Sequence, residues 1–223
     1  MDAKLVRDAL MRFAVGVVAV GLLVFVPAGS FGYTAGWVLM GILFAPMLLA
    51  GIVLLVFKPD LLRRRLKARE EQAEQRGVIA ASGLMFTAAF VVAGLGFRFG
   101  WIGFPTWAER LGAVLFLAGY ALFAEVLREN EYLSRTVEIQ EGQHLVDTGL
   151  YGIVRHPLYA ATLLLFLSMP IVLDAPLSLA IMLAYLPIIS RRIANEEQVL
   201  EQGLRGYRAY ERRVRYRVIP FVW

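Results

Sequence analysis

The 223-residue sequence predicts an all-α integral membrane protein, a bundle of about six transmembrane helices. Three observations carry this. Hydrophobic residues make up 59% of the chain and the mean hydropathy is +0.62, where soluble domains lie nearer half apolar. The apolar residues fall in long runs, several near the ~20 residues that cross a bilayer. Between the runs sit short turns and a few strongly charged segments.

The elements follow in order. Met1 to Arg12 is charged, and the apolar run after it, Phe13 to Ala28, has no small-x-small cleavage site, so it reads as a retained first span. Pro27, Gly29 and Gly32 end it. Tyr33 to Phe57 is the second span, with Tyr33 and Trp37 suited to an interfacial belt and Pro46 placed to kink it. From Lys58 to Arg76 the composition turns polar: Lys58, Arg63, Arg64, Arg65, Lys67, Arg69 and Arg76 alternate with Glu70, Glu71 and Glu74. Excess Lys and Arg marks the cytoplasmic side, and Lys4, Arg7 and Arg12 put the N-terminus there too.

Val78 to Phe97 is the third span, where Gly83, Gly94 and Gly96 suit close helix approach. Trp101 and Trp107 mark the outer interface. Ala108 to Leu127 is the fourth span, and Glu125 near its inner end is either a buried functional carboxylate or an interfacial partner of Arg128. Arg128 to Arg155 is a polar cytoplasmic loop. In it Thr136–Ile139 and His144–Val146 read as extended, Glu141-Gly142 and Asp147-Thr148-Gly149 as turns. Pro157 to Leu173 and Ala175 to Ile189 form a short-looped hairpin, the fifth and sixth spans. Glu196 to Arg217 carries Leu200, Leu204, Tyr207, Tyr210 and Val214 at helical spacing and predicts a C-terminal amphipathic helix. Ile219 to Trp223 is an apolar tail placed to tuck back. Residues 1–127, four helices with the hairpin 58–76, form one expected unit and 128–223 a second.

Cysteine is absent, which removes disulfides, thiolate metal sites and a cysteine nucleophile. The net charge of +5 reports membrane orientation and not a nucleic-acid partner. Two polar clusters stand at the mouths of apolar runs. The first is Gly149-Leu150-Tyr151-Gly152-Ile153-Val154-Arg155-His156-Pro157-Leu158-Tyr159. Pro157 suits a first helical position, and free N–H groups beside it favour an anion. The second is Arg191-Arg192-Ile193-Ala194-Asn195-Glu196-Glu197, where Arg192 and Glu196, four apart, share a helix face. A carboxylate there suits a ligand ammonium, and a guanidinium suits an oxyanion held by two parallel hydrogen bonds. Taken singly, the arginines also fit interfacial anchors and the glutamates a solvated face. His144 and His156 lack a converging carboxylate set, so a metal is not expected. Tyr207 and Tyr210 read as packing.

Gly149-Leu150-Tyr151-x-x-x-Arg155-His156-Pro157-x-Tyr159 resembles the signature of the isoprenylcysteine carboxyl methyltransferase family. Glu196-Glu197-x-x-Leu200, Gly206-Tyr207-x-x-Tyr210 and Arg213-Val214 through Pro220 are similar to that family's C-terminal signature. The resemblance covers roughly 136–223. It implies S-adenosylmethionine at the cytoplasmic face, touching Gln143, His144, Leu145, Val146, Tyr151, His156, Pro157, Leu158, Tyr159 and Glu196, closed in by the loop and the C-terminal helix. It implies Arg192 beside the methyl-accepting carboxylate, no metal, and a lipophilic or lipidated substrate presented from the bilayer; the expected place is the plasma membrane of a prokaryote, and the Lys and Arg bias with the count of spans puts both termini in the cytoplasm. Ala160-Ala161, Gly203-Leu204-Arg205 and Arg215 depart from the family pattern and bear on the substrate. Phospholipid methyltransferases share the general pattern, and sterol reductases carry a related Arg-His-Pro-x-Tyr element. An NADPH-dependent membrane reductase and a non-enzymatic scaffold are therefore the competing expectations. Glu196 and Glu197 oppose the binding of NADPH phosphates.

Overall fold

A computed structural model describes residues 3–66, 73–133 and 139–223. Among these, helices are the only regular structure: α1 (Ala3–Ala28), α2 (Thr34–Phe57), α3 (Pro59–Leu66), α4 (Ala73–Phe99), α5 (Thr106–Glu129), α6 (Pro157–Val172), α7 (Pro176–Met182), α8 (Tyr185–Gly203) and α9 (Tyr207–Arg213), with a 3-10 turn at Gly149–Gly152. Five stretches are long and apolar enough to cross a membrane: α1, α2, Arg76–Phe99 of α4, α5, and Pro176–Gly203, which joins α7 to α8. The expected fifth span, α6, is apolar but only 16 residues long. At 1.5 Å per residue it spans about 24 Å, short of the ~30 Å hydrocarbon core. More than half of its residues are buried inside the protein, so it is a central helix clad by its neighbours.

Backbones meet where side chains are missing. A Cβ on Gly94 would stand 2.7 Å from the Val24 carbonyl oxygen, so α4 lies directly on α1 there. A Cβ on Gly119 would stand 2.8 Å from Leu165, which seats α5 on α6. Gly83, expected to do the same, faces open space, and Gly96 meets only Trp101 at 3.4 Å. Small size permits approach but does not say from which side a neighbour comes.

Other expectations shift in the same way. Tyr33 is not a belt residue. It is buried, stacks on Phe97 at 4.5 Å and donates its hydroxyl to the Leu173 carbonyl, whereas Trp37, Trp101 and Trp107 are exposed as a belt requires. Glu125 takes its interfacial role: Arg128 donates to both its oxygens, at 2.8 and 2.5 Å, and the pair is solvent-facing. The charged segment after α2 forms α3, whose Leu61 and Leu62 are buried; its Arg64 reaches the Glu131 carbonyl at 2.6 Å. Lys67, Arg69, Glu70 and Glu71 of that segment, and Thr136, Val137 and Glu138 of the expected extended piece, lie outside the described residues. His144 to Val146 is irregular backbone with no strand partner among the described residues.

The amphipathic helix expected over 196–217 is not one helix. Its first third continues α8 to Gly203. Gly206, at φ +88, takes a left-handed turn, and α9 resumes for seven residues with Tyr207 and Tyr210 buried. Upstream, Pro187 lacks the N–H that would bond the Leu183 carbonyl, and the chain turns at residues 183–184 between α7 and α8. The tail tucks back in part. Val218 is buried and Trp223 packs on the main core, while Phe221 and Val222 project outward.

Candidate active site

One cavity of about 530 Å³ opens at the polar end of α6 and runs between α4, α5, α6 and α8. That volume lies within the ~300–1,000 Å³ of small-molecule sites. Its two ends differ in chemistry. The polar end is walled by the irregular loop (Asn130, Tyr132, Gln143, His144), by Tyr151 and His156, and by Tyr207 and Tyr210 of α9. The apolar end is walled by Phe86 of α4, Phe166 of α6 and Ile188 of α8, with Phe86 and Phe166 edge to face at 4.7 Å; Val78 and Ile79 of α4, Phe123 of α5 and Arg65, which lies over the Phe123 ring, also line the cavity. Arg192, Tyr159 and Glu196 lie on the wall the two ends share.

Each element is placed by local sequence. Pro157 stands at the first position of α6, and His156 takes the N-cap, but the imidazole does not cap the helix. It turns instead to Glu197 on α8, with Nε2 3.2 Å from Oε1. The 3-10 turn that presents Tyr151 is held by Glu129 of α5, whose carboxylate accepts the Leu150 N–H at 3.0 Å. Gly149 has φ +53, and a Cβ there would collide with that carboxylate. Tyr151 is clamped twice: Asn130 donates to its hydroxyl at 2.9 Å, and its carbonyl accepts the Tyr210 hydroxyl at 2.7 Å. Burial pushes the phenols of Tyr151, Tyr207 and Tyr210 above the usual tyrosine value, so they stay protonated donors at neutral pH. The Tyr207 hydroxyl, buried beside the polar end, has no hydrogen-bond partner among the described residues.

On the shared wall the Tyr159 hydroxyl accepts from Arg192 Nε at 3.0 Å and donates to Glu196. A phenol thus bridges the guanidinium to the carboxylate one turn further along α8. Beside it, Thr162 and the Tyr185 hydroxyl are 2.8 Å apart. This chain of polar groups can hold a cationic ligand at Glu196 and an oxyanion at Arg192 while apolar side chains keep water from the space beyond.

Beneath the cavity lies a buried charge cluster. Glu197 accepts from Arg155 Nε and Nη2, each at 2.9 Å, and from Arg217 Nη2 at 2.7 Å. Arg155 also donates to the Val214 and Arg215 carbonyls at 3.1 and 3.3 Å. The backbone follows suit: the Arg155 and His156 N–H groups donate to the Tyr216 and Arg217 carbonyls at 2.9 and 2.8 Å. Residues 214–217 are thereby laced to the start of α6.

Of the residues singled out in the sequence, Gln143, His144, Leu145, Val146, Tyr151, His156, Leu158, Tyr159, Arg192 and Glu196 all line this cavity. Pro157 does not; it is buried and shapes the helix start. Sequence reasoning left out Tyr207 and Tyr210, read as packing, and the α4 wall. It allowed Glu197 a solvated face, yet this residue is only 4% exposed. The sequence held no signal to separate the doublet: adjacent helical residues point in different directions, yet Ile188-Ile189 and Val199-Leu200 of the same helix both line the cavity, so only the packing told Glu196 from Glu197.

Residues 111–202 match the Isoprenylcysteine carboxyl methyltransferase (ICMT) family. The fold is similar to that of the eukaryotic intramembrane Ras methyltransferase ICMT, with a TM-score of 0.58 at 20% identity, over 96% of this chain and 77% of that one. The chain is also 34% identical over 91 residues to the delta(14)-sterol reductase of Mus musculus, a stretch covering 40% of this chain and 22% of that protein. It is thus ICMT-like, in fold over nearly its whole length and in sequence over 111–202.

Proposed function

We propose that this ICMT-like integral membrane protein is a methyltransferase that moves a methyl group from S-adenosylmethionine to a lipophilic acceptor drawn from the bilayer. The observation that carries the reading is a continuous cavity with a polar end, an apolar end and the Arg192–Tyr159–Glu196 bridge between them. The polar end fits the cofactor in size and in donor set. Gln143, His144, Tyr151 and His156 offer hydrogen-bonding groups, Leu145, Val146 and Leu158 offer apolar contact, and Glu196 offers a carboxylate to a cation. When bound, S-adenosylmethionine supplies an electrophilic methyl on a sulfonium.

The protein's own part is placement. Arg192, steered by Tyr159, holds the acceptor's carboxylate or other oxyanion in line, and the apolar wall excludes water. Misplacing reacting atoms by about 1 Å can cost on the order of a hundredfold. The polar mouth, α3 and the loop 139–155 lie on the cytoplasmic side, where the Lys and Arg excess puts them. Because the chain has no cysteine, a single cysteine at Glu141 reports this directly: a membrane-impermeant thiol reagent should label it in broken cells and not in intact ones.

The similarity to a sterol reductase keeps an NADPH-dependent reaction as the competing reading. Glu196 on the cavity wall argues against a bound phosphate there. Purified protein should gain thermal stability from S-adenosylhomocysteine and none from NADPH. The reverse result would replace the reading.

A further inference from the structure

Glu197 does not line the cavity, yet it is among the most buried charged groups of the described residues and touches His156, which does. We propose that Glu197 is a positioning residue that fixes the imidazole of His156 so that its Nδ1 and Glu196 together accept the ammonium of the cofactor's amino-acid chain. The inference rests on the methyltransferase reading and deepens it.

The argument is one of donors and acceptors. An ionised carboxylate has only lone pairs, so the nitrogen 3.2 Å from Glu197 Oε1 must carry a hydrogen. That nitrogen is Nε2. In its neutral form the ring has one N–H, so Nδ1 is left as a lone pair. Nδ1 lies 3.8 Å from Glu196 Oε1, too far for a hydrogen bond between them. Two acceptors side by side, one of them charged, on the wall of a polar pocket match a donor with several hydrogens and a positive charge. Glu197 is held in turn by Arg155 and Arg217, so its carboxylate stays ionised and cannot rotate away. The ring of His156 also lies against Tyr159, centroids 5.6 Å apart, which limits its own rotation.

The chain has only two histidines, and His144 sits apart, with Nδ1 2.7 Å from the Tyr132 hydroxyl. Nitrogen-15 spectra of the imidazoles can therefore be assigned. In the wild type the neutral His156 ring should be protonated at Nε2. Its Nδ1 resonance should move on addition of S-adenosylhomocysteine and stay in place with 5′-methylthioadenosine, which lacks the amino-acid chain. Glu197→Gln should lose about tenfold or more in affinity for S-adenosylhomocysteine and little for 5′-methylthioadenosine. A wild-type ring protonated at Nδ1 overturns the proposal. Equal loss for both ligands overturns it too, since Glu197 would then only shape the pocket. Should Glu197→Gln fail to fold, the two wild-type ring measurements decide alone. A wild type that binds neither ligand counts against the methyltransferase reading itself.

Discussion

The two ends of the chain bury side chains for different reasons. In α1 and α2 only 11% of the most apolar stretch is covered by protein, and Val15, Val18, Leu22, Leu49 and Val56 all face outward. Lipid is the solvent for most of these two surfaces, so hydrophobicity suffices there, and specific packing is confined to patches such as Val24 against Gly94. From Arg155 to Arg217 the pattern reverses. Arg155, His156 and Glu197 are buried as a group, each satisfied by residues up to 60 positions away. A buried charge is tolerable only with its partner in place, so this end depends on pairing where the other depends on composition.

That contrast can be broken, and the largest effect should come from Glu197→Ala. It leaves the buried Arg155 with only the half-exposed Glu211, 3.3 Å away, as a carboxylate partner and should cost about 3 kcal/mol of stability, read as a lowered midpoint of unfolding in detergent. A loss no greater than for a lipid-facing position would mean the cluster is solvated in the membrane. Arg192→Lys comes next. It keeps the charge and loses the planar fork, so turnover should fall on the order of a hundredfold while affinity for S-adenosylhomocysteine holds. Near-normal turnover would make Arg192 a headgroup anchor.

Glu196→Ala sharpens the contrast within α8, since Glu196 faces the cavity and Glu197 the cluster. It should weaken S-adenosylmethionine binding by about 1.5–3 kcal/mol, roughly tenfold to a hundredfold by calorimetry, with the fold intact. Unchanged affinity would remove Glu196 from the cofactor pocket. The smallest effect belongs to Val18→Ala on the lipid face of α1, which should stay within about 0.5 kcal/mol of wild type in the same unfolding assay. A loss above ~1 kcal/mol there would show that α1 has a protein partner which the single chain lacks.

Legibility followed the same divide. Runs of Leu, Val, Ala and Phe announced α1, α2, α4 and α5, because crossing a bilayer is a demand on length and hydropathy. Pro157 and Gly149-Leu150-Tyr151 announced the start of α6 and the turn before it, because proline and glycine act locally. Gly83 and Tyr33 misled, because an approach site and a belt residue differ from a bystander and a core residue only by what lies opposite. The amphipathic period over 196–217 was real, yet the chain leaves α8 after Gly203 and the left-handed turn at Gly206 folds it back over the cavity.

The sequence by itself determined that this is a helical membrane protein with a polar site at one end of its C-terminal hairpin. Hydropathy and local breakers are properties of a stretch and need no third dimension. Only the tertiary structure decided that Tyr159 bridges Arg192 to Glu196, that α4 and α5 wall a cavity most of whose polar residues come from 130–210, and that of two adjacent glutamates one faces the cavity and the other the buried Arg155 and the half-exposed Arg217. These are contacts between residues 20 to 80 or more positions apart, and their energy exists only once the helices have packed.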